Sequence, residues 1–287
     1  MFTAALIVFA SLAAADARFV ALDLPGSQLT ALSADGRAAA GSLSGDRNGG
    51  FLWQAGRGAQ PLPNAISVRA ISPDGRYVAG SSLDGDQIEA ASWWERGSAA
   101  HRIDGVARTL QLGRAPTTAL AVDDDLHVSG ATIDGAAHFR WKPGNEPLRD
   151  EHAPDARPLP ACAGRRAPVE PPPGLSAPLR FVAASADGGL WIGHAGSGAQ
   201  RRAVVWPGAG PAQALDTWLR AHGVAVPDDW TLVAATAVDP SAHHIGGFGL
   251  HDGHFDSFIA ALPANDDAVA CTARTASGPR STARPSQ

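Results

Sequence analysis

The sequence predicts an all-β repeat domain, a β-propeller of about five blades, and three observations carry that expectation: a turn-forming composition, a motif repeated at fixed spacing, and an aromatic residue trailing each copy. The 287-residue chain is 45% hydrophobic and holds 32 Gly and 22 Pro against one Met and one Tyr. That balance suits many short strands and turns better than long helices. The length allows one large core, since repeat and barrel β folds often run past about 200 residues in a single domain.

The motif is a polar turn followed by a short apolar run ending in Gly. Its five copies are Leu32-Ser33-Ala34-Asp35-Gly36 to Gly41, Ile71-Ser72-Pro73-Asp74-Gly75 to Gly80, Ala121-Val122-Asp123-Asp124-Asp125 to Gly130, Ala184-Ser185-Ala186-Asp187-Gly188 to Gly193, and Ala237-Val238-Asp239-Pro240-Ser241 to Gly246. The second residue of each copy precedes the closing Gly by eight. Trp53, Trp93, Trp141, Trp206 and Phe258 follow the glycines by 12, 13, 11, 13 and 12 residues. Asp-Gly supplies the positive φ that a tight hairpin needs, and Val, Ala and Ile on either side read as short strands. Gly permits close approach of backbones, and a ring recurring once per unit fills the space between adjacent sheets, so the tryptophans are read as packing residues.

A further strand is expected after each aromatic, as at Ala59-Gln60-Pro61-Leu62, Glu146-Pro147-Leu148 and Ala212-Gln213-Ala214-Leu215. Each unit then has about four strands, as a propeller blade does. Five units give five blades; six or seven are the alternative, with 95–118 or 142–181 able to hide a degenerate unit. Phe19-Val20-Ala21-Leu22-Asp23-Leu24 resembles the strand that ends a unit, whereas the last unit stops at Phe258-Ile259-Ala260-Ala261-Leu262 without one. The N-terminal strand is therefore expected to complete the final blade and cover its edge.

Residues 18–263 read as one domain with two interruptions. A Pro-rich stretch over 150–178, including Pro171-Pro172-Pro173, reads as a long surface loop. Leu215, Trp218 and Leu219 lie at helical spacing and predict a short helix over 214–223. The polar tail 264–287 is expected to be disordered. Residues 1–17 read as a signal peptide, an apolar run from Ala4 to Ala15 followed by the small-x-small site Ala15-Asp16-Ala17. No segment reaches the roughly 20 apolar residues of a membrane span. The expected product is a secreted or periplasmic monomer. In such a compartment Cys162 and Cys271, the two cysteines of the chain, are expected to pair as a disulfide.

The turn, closing-glycine and aromatic strings also resemble the bacterial extracellular HAF-repeat family, whose units carry a serine, Asp-Gly, Val-x-Gly and then an Ala-Phe-Trp-like strand. The matching strings are Gly49-Gly50-Phe51-Leu52-Trp53, Ala137-His138-Phe139-Arg140-Trp141, and Trp230-Thr231-Leu232 through Ile245-Gly246-Gly247-Phe248-Gly249. The resemblance covers nearly all of 19–262 and implies a propeller-like secreted repeat protein; it brings no shared chemistry. In the third unit Asp123-Asp124-Asp125 lacks the Gly, and in the fifth Pro240-Ser241-Ala242 replaces Asp-Gly, which implies looser turns there.

Several function classes are disfavoured. A formal net charge of -5 without a Lys/Arg block opposes nucleic-acid binding. No phosphate-binding Gly-x-x-x-x-Gly-Lys string exists, and Ala195-Gly196-Ser197-Gly198 lacks the strand-turn-helix setting of a nucleophile elbow. No cofactor is implied. The densest polar group is His243-His244, His251, Asp252, His254 and Asp256; of these His251, His254 and Asp256 are the candidate metal ligands, with solvated turn residues the more economical reading. Asp123-Asp124-Asp125 and Asp84, Asp86, Glu89 are acidic turns without a pairing that would assign acid and nucleophile roles. The leading expectation is a secreted non-catalytic interaction or scaffold module contacting a protein or surface glycan. The alternatives are a carbohydrate-active hydrolase or sugar-binding protein, and a metal-binding periplasmic protein.

Overall fold

In a computed structural model of the chain, residues 17–45, 48–83, 86–111, 113, 115–150, 173–208 and 210–263 are described. They form five antiparallel sheets of four strands each, the blades of a β-propeller. β1 (Arg18–Ala21) comes first. Blade 1 is β2 (Ser27–Leu32), β3 (Ala38–Leu43), β4 (Gly49–Gln54) and β5 (Gly58–Leu62); blade 2 is β6 (Ala65–Ile71), β7 (Tyr77–Leu83), β8 (Glu89–Glu95) and β9 (His101–Arg102). The short helix α1 (Val106–Thr109) leads to blade 3, made of β10 (Thr117–Val122), β11 (Val128–Thr132), β12 (His138–Trp141) and β13 (Leu148–Asp150). Blade 4 is β14 (Leu179–Ala184), β15 (Leu190–Ala195), β16 (Arg202–Pro207) and β17 (Gln213–Ala214), followed by α2 (Leu215–Ala221) inside the stretch predicted as helix. Blade 5 takes β18 (Trp230–Val238), β19 (His244–His251) and β20 (His254–Ala261), with β1 as its outer strand. β1 pairs Phe19 with Ala260 and Ala21 with Phe258, so the N-terminal strand completes the last blade as expected.

Every inner strand carries a bulge at the same place, at Thr30, Arg69, Leu120, Val182 and Thr236, where the register to the second strand skips one residue. The residue of the second strand paired just before the skip is Gly in all five blades: Gly41, Gly80, Gly130, Gly193 and Gly247. A Cβ at any of them would collide with an inner-strand carbonyl, that of Gln28, Ser67, Thr118, Arg180 and Ala234 respectively. The bulge presses its backbone against the neighbour, and only glycine leaves room.

Register revises the repeat in detail. The fifth blade's equivalent glycine is Gly247, and Gly246 instead faces the Leu29 and Leu32 side chains. The rings of Phe51, Phe139 and Phe258 pair with Gly41, Gly130 and Gly247, so Phe258 belongs with these and not with the tryptophans. Two residues further on, Trp53, Trp94, Trp141, Trp206 and Ala260 are equivalent. Trp94, not Trp93, is thus the second blade's packing residue; it is fully buried, while Trp93 stacks on His101 on the opposite face.

The turns are tight in all five blades. In blades 1, 2 and 4 the hydroxyl of Ser33, Ser72 or Ser185 accepts the amide of Ala38, Tyr77 or Leu190 and donates to Asp35, Asp74 or Asp187. In blades 3 and 5 a carboxylate takes the serine's place: Asp123 accepts from His127 N at 2.8 Å and Asp239 from His244 N at 2.8 Å. Leu126 and Ala242, both at φ 60°, occupy the left-handed position that Gly fills elsewhere. The looser turns expected there do not occur, because the extra carboxylate satisfies the amides that a missing Gly left in doubt.

Four apolar clusters join blades in pairs. Leu52, Leu62, Val68 and Trp94 join blades 1 and 2; Tyr77, Phe139 and the α1 residues Val106 and Leu110 join 2 and 3; Ile192, Val205, Trp230 and the α2 residues Leu215 and Leu219 join 4 and 5; Leu29, Phe51, Ala237 and Ile259 join 5 and 1. The helix α1 was not anticipated, because four residues carry too little periodicity to read. Among the described residues no apolar cluster and no hydrogen bond crosses from blade 3 to blade 4.

Candidate functional site

The two rims of the propeller carry different polar groups. On one rim lie the Ser-x-Asp turns, which also bond blade to blade: Ala34 N donates to Pro73 O at 2.8 Å, Asp74 N to Asp124 Oδ1 at 2.8 Å, and Ala186 N to Pro240 O at 3.0 Å. Burial pushes the Asp239 carboxyl up, but bonds from His244 and Ser241 outweigh it and hold the group below the ordinary carboxylate range. Asp35, Asp74 and Asp123 are lowered in the same way, against a burial effect that raises them. This rim is built to hold the fold: the Asp123 carboxylate accepts the backbone N–H groups of Asp125 and His127, and Asp124 accepts the latch bond from Asp74 N.

The opposite rim carries the blade-to-blade connections and the loops between second and third strands. Between blades 2 and 3 it opens a groove of about 440 Å³ whose lining includes Asp86, Glu89, Arg102, Asp104, Val106 and Thr117. Ser67 and Ser81 share a hydrogen bond of 2.7 Å, and Ser81 donates to Glu89 Oε1. Arg102 Nε donates to Asp104 Oδ1 at 2.8 Å. Carboxylates and a guanidinium fixed in this way present hydrogen-bonding groups to a polar ligand. Glu89 and Asp104 each accept an internal bond there. Asp84 lies outside the described residues.

The same rim holds His251, at the end of β19 beside the Asp252-Gly253 hairpin turn. Its Nε2 is 3.1 Å from Asp229 Oδ2 and 3.8 Å from Asp252 Oδ2, and ligand atoms of these three residues lie within 4.8 Å of one another. Trp230 stacks on the imidazole with centroids 4.9 Å apart and fixes the ring. One nitrogen and two carboxylate oxygens on one side of a restrained ring form a donor set for a borderline divalent cation.

Of the ligands proposed from sequence, His251 belongs to this trio and the other two do not. His254 faces His251 across the hairpin and is exposed. Asp256 is buried behind the ring, its Oδ1 accepting Leu24 N at 3.1 Å and Ser27 Oγ at 3.4 Å, so it anchors the chain where β1 passes into blade 1. His243 and His244 lie at the other end of β19, bonded to Ser241 and Asp239. Asp229 escaped the sequence reading because it stands 22 residues from His251 and meets it only through the pairing of Trp230 with His251. Ser197 precedes a single 3-10 turn, Gly198–Gln200, and not the longer helix that a nucleophile elbow leads into. Cys162 and Cys271 lie outside the described residues.

No protein-family profile matches the chain, and no curated protein matches it. Solved structures do: TolB from Acinetobacter baumannii, with 14% identity over 83% of this chain and 55% of the other at a TM-score of 0.34; XC5397 from Xanthomonas campestris, described as a gluconolactonase, with 14% identity over 88% and 93% at 0.38; and the β-propeller domain of the Trilobed protease from Pyrococcus furiosus, with 8% identity over 82% and 68% at 0.31. The chain spans 55% of the length of the Acinetobacter TolB chain. At these scores the likenesses add nothing to the architecture read from the sheets themselves.

Proposed function

We propose that this protein is a secreted, monomeric, non-catalytic interaction module of the HAF-repeat kind, and that it meets a protein or surface glycan through the rim carrying the blade 2–3 groove. The observation that supports this most is the groove of about 440 Å³ between blades 2 and 3, whose lining sets the Arg102–Asp104 ion pair beside Glu89. Loops set on a rigid scaffold are where binding residues concentrate. The leader-like residues 1–17 and the Cys162–Cys271 pair, read as a disulfide, support an oxidising compartment outside the cytoplasm.

A thermal-shift screen of the mature chain against simple sugars, oligosaccharides and divalent metals tests this reading. A ligand at 100 times its Kd adds about 2.7 kcal/mol, roughly 5–10 °C for a domain of this size. A glycan shift abolished by Arg102→Ala places the ligand in the groove. Turnover of the glycan to shorter products overturns the non-catalytic reading. The trio Asp229, His251 and Asp252 favours one second reading, a divalent-metal site, which a zinc or nickel shift lost in His251→Ala supports.

A further inference from the structure

The strand that completes blade 5 must hand the chain on to blade 1, and one buried carboxylate holds that crossing. After β1 the chain passes through residues 22–27 and bonds to β20 on the way: Leu22 N donates to Ser257 O at 2.9 Å, Gly26 N to Phe255 O at 2.7 Å, and Ser257 N to Ser27 Oγ at 3.0 Å. Asp256 lies at the centre of these bonds and is 3% exposed. Its Oδ1 accepts the amides of Leu24 at 3.1 Å and Ser257 at 2.7 Å, and the Ser27 hydroxyl at 3.4 Å. Leu24 and Ser27 stand 232 and 229 residues from Asp256 in the chain, so these bonds tie the first residues of the fold to the last.

The other oxygen of Asp256 faces His251. Oδ2 is 3.8 Å from Nδ1 of that ring, whereas Nε2 is turned to the Asp229 and Asp252 carboxylates at 3.1 and 3.8 Å. The imidazole thus stands between the exposed trio and the buried anchor, with Trp230 stacked on its face at a centroid distance of 4.9 Å and 17° between the planes. A histidine that ligates a metal through one nitrogen characteristically gives the N–H of the other to a carboxylate, which sets the tautomer and the ring orientation. Asp256 stands where that carboxylate is needed, and it is held in place by the crossing itself.

We propose that binding of a zinc-class divalent cation by Asp229, His251 and Asp252 is coupled through Asp256 to closure of the propeller, an inference that rests on the metal reading of that trio. Ligation at Nε2 leaves the ring proton on Nδ1, toward Asp256 Oδ2. The carboxylate is then held at both oxygens, Oδ2 by the imidazole and Oδ1 by the crossing. β1 has four residues and none of them is buried, so it belongs with the elements that open locally before the rest of a fold. When the crossing leaves, Asp256 loses its anchors and His251 loses the group that orients it. Cation affinity and closure therefore raise each other by the same factor.

Zinc chloride and the full-length chain suffice for the test. Calorimetric titration compares the parent with Asp229→Asn and Asp256→Asn, and amide hydrogen exchange over residues 18–27 is followed by mass spectrometry with and without zinc. Zinc binding is expected in the parent and lost in Asp229→Asn. Asp256→Asn keeps all three ligands and is expected to bind zinc about 10–100-fold more weakly. In the parent, zinc is expected to slow exchange at Leu22, Leu24 and Gly26 several-fold, and by more than at Tyr77 in blade 2. A parent that binds zinc with exchange over 22–27 unchanged, or an Asp256→Asn affinity equal to the parent's, overturns the coupling and leaves the metal reading standing. A parent that binds no zinc overturns both. Should Asp256→Asn fail to fold, the exchange comparison in the parent decides alone.

Discussion

Gly246 and Gly247 are adjacent in β19 and look interchangeable in sequence, yet the fold assigns them different costs for a single added methyl. At Gly247 a Cβ runs into the Ala234 carbonyl oxygen, part of the bulged inner strand, and also meets Phe258 Cζ at 2.8 Å. Backbone cannot rotate away, so the sheet must part locally, at the upper end of the overpacking range, about 3 kcal/mol. At Gly246 the nearest atoms are Leu29 Cδ2 at 2.8 Å and Leu32 Cδ1 at 3.0 Å, the ends of side chains that can shift. The cost there is about 1 kcal/mol, the lower end of the same range. For a domain of this size Gly247→Ala should lower Tm by roughly 6–12 °C and Gly246→Ala by roughly 2–4 °C. Chemical denaturation of both variants against the parent, with the m-value checked for constancy, measures the difference directly. Equal losses, or a greater loss at Gly246, refute the assignment of Gly247 to the bulge and with it the equivalence of the five blades.

Further outcomes follow from individual groups. Asp239→Asn should cost about 2 kcal/mol at pH 7, because a buried carboxylate accepting several bonds is replaced by a group that can accept fewer. The Asp239 pKa is depressed in the fold, so its contribution is present above the unfolded value near 3.9 and fades as pH falls through the folded value; the gap between variant and parent, followed by denaturation from pH 7 to 3, should narrow toward the acid end. Thr236→Val removes the hydroxyl that bonds Leu29 O across blades 5 and 1 and should cost about 1–2 kcal/mol by denaturant midpoint, leaving a buried carbonyl short of a donor. Intact-mass measurement of natively exported protein, before and after reduction and alkylation, should show no free thiol at Cys162 and Cys271; two alkylated cysteines without reduction contradict the disulfide.

Much of the architecture was legible because it rests on short-range chemistry. Ser33-Ala34-Asp35-Gly36 bonds its own backbone, so the turn reads from four letters, and Gly41 and Gly80 mark a close approach that recurs with the turn. The pairing of β1 with β20 was foreseeable because a blade one strand short and a spare strand at the other end of the chain imply each other. Finer register was not foreseeable. Trp93 and Trp94 are neighbours that alternate between faces, and only pairing with the second strand decides which one enters the core.

The sequence by itself pointed to about five blades, and it determined the Ser-x-Asp turns of blades 1, 2 and 4 and the strand that completes blade 5, since each depends on residues close in the chain or on a count. Tertiary structure alone decided which polar groups meet: Asp229 joins His251 and Asp252, Asp256 turns inward as an anchor, and His243 and His244 are carried to the other rim by eight residues of extended strand. It also decided that blades 3 and 4 share no described core, a fact invisible in any one repeat. The reason is that a strand's faces and ends are assigned by its neighbours, and neighbours in a propeller come from the whole circuit of the chain.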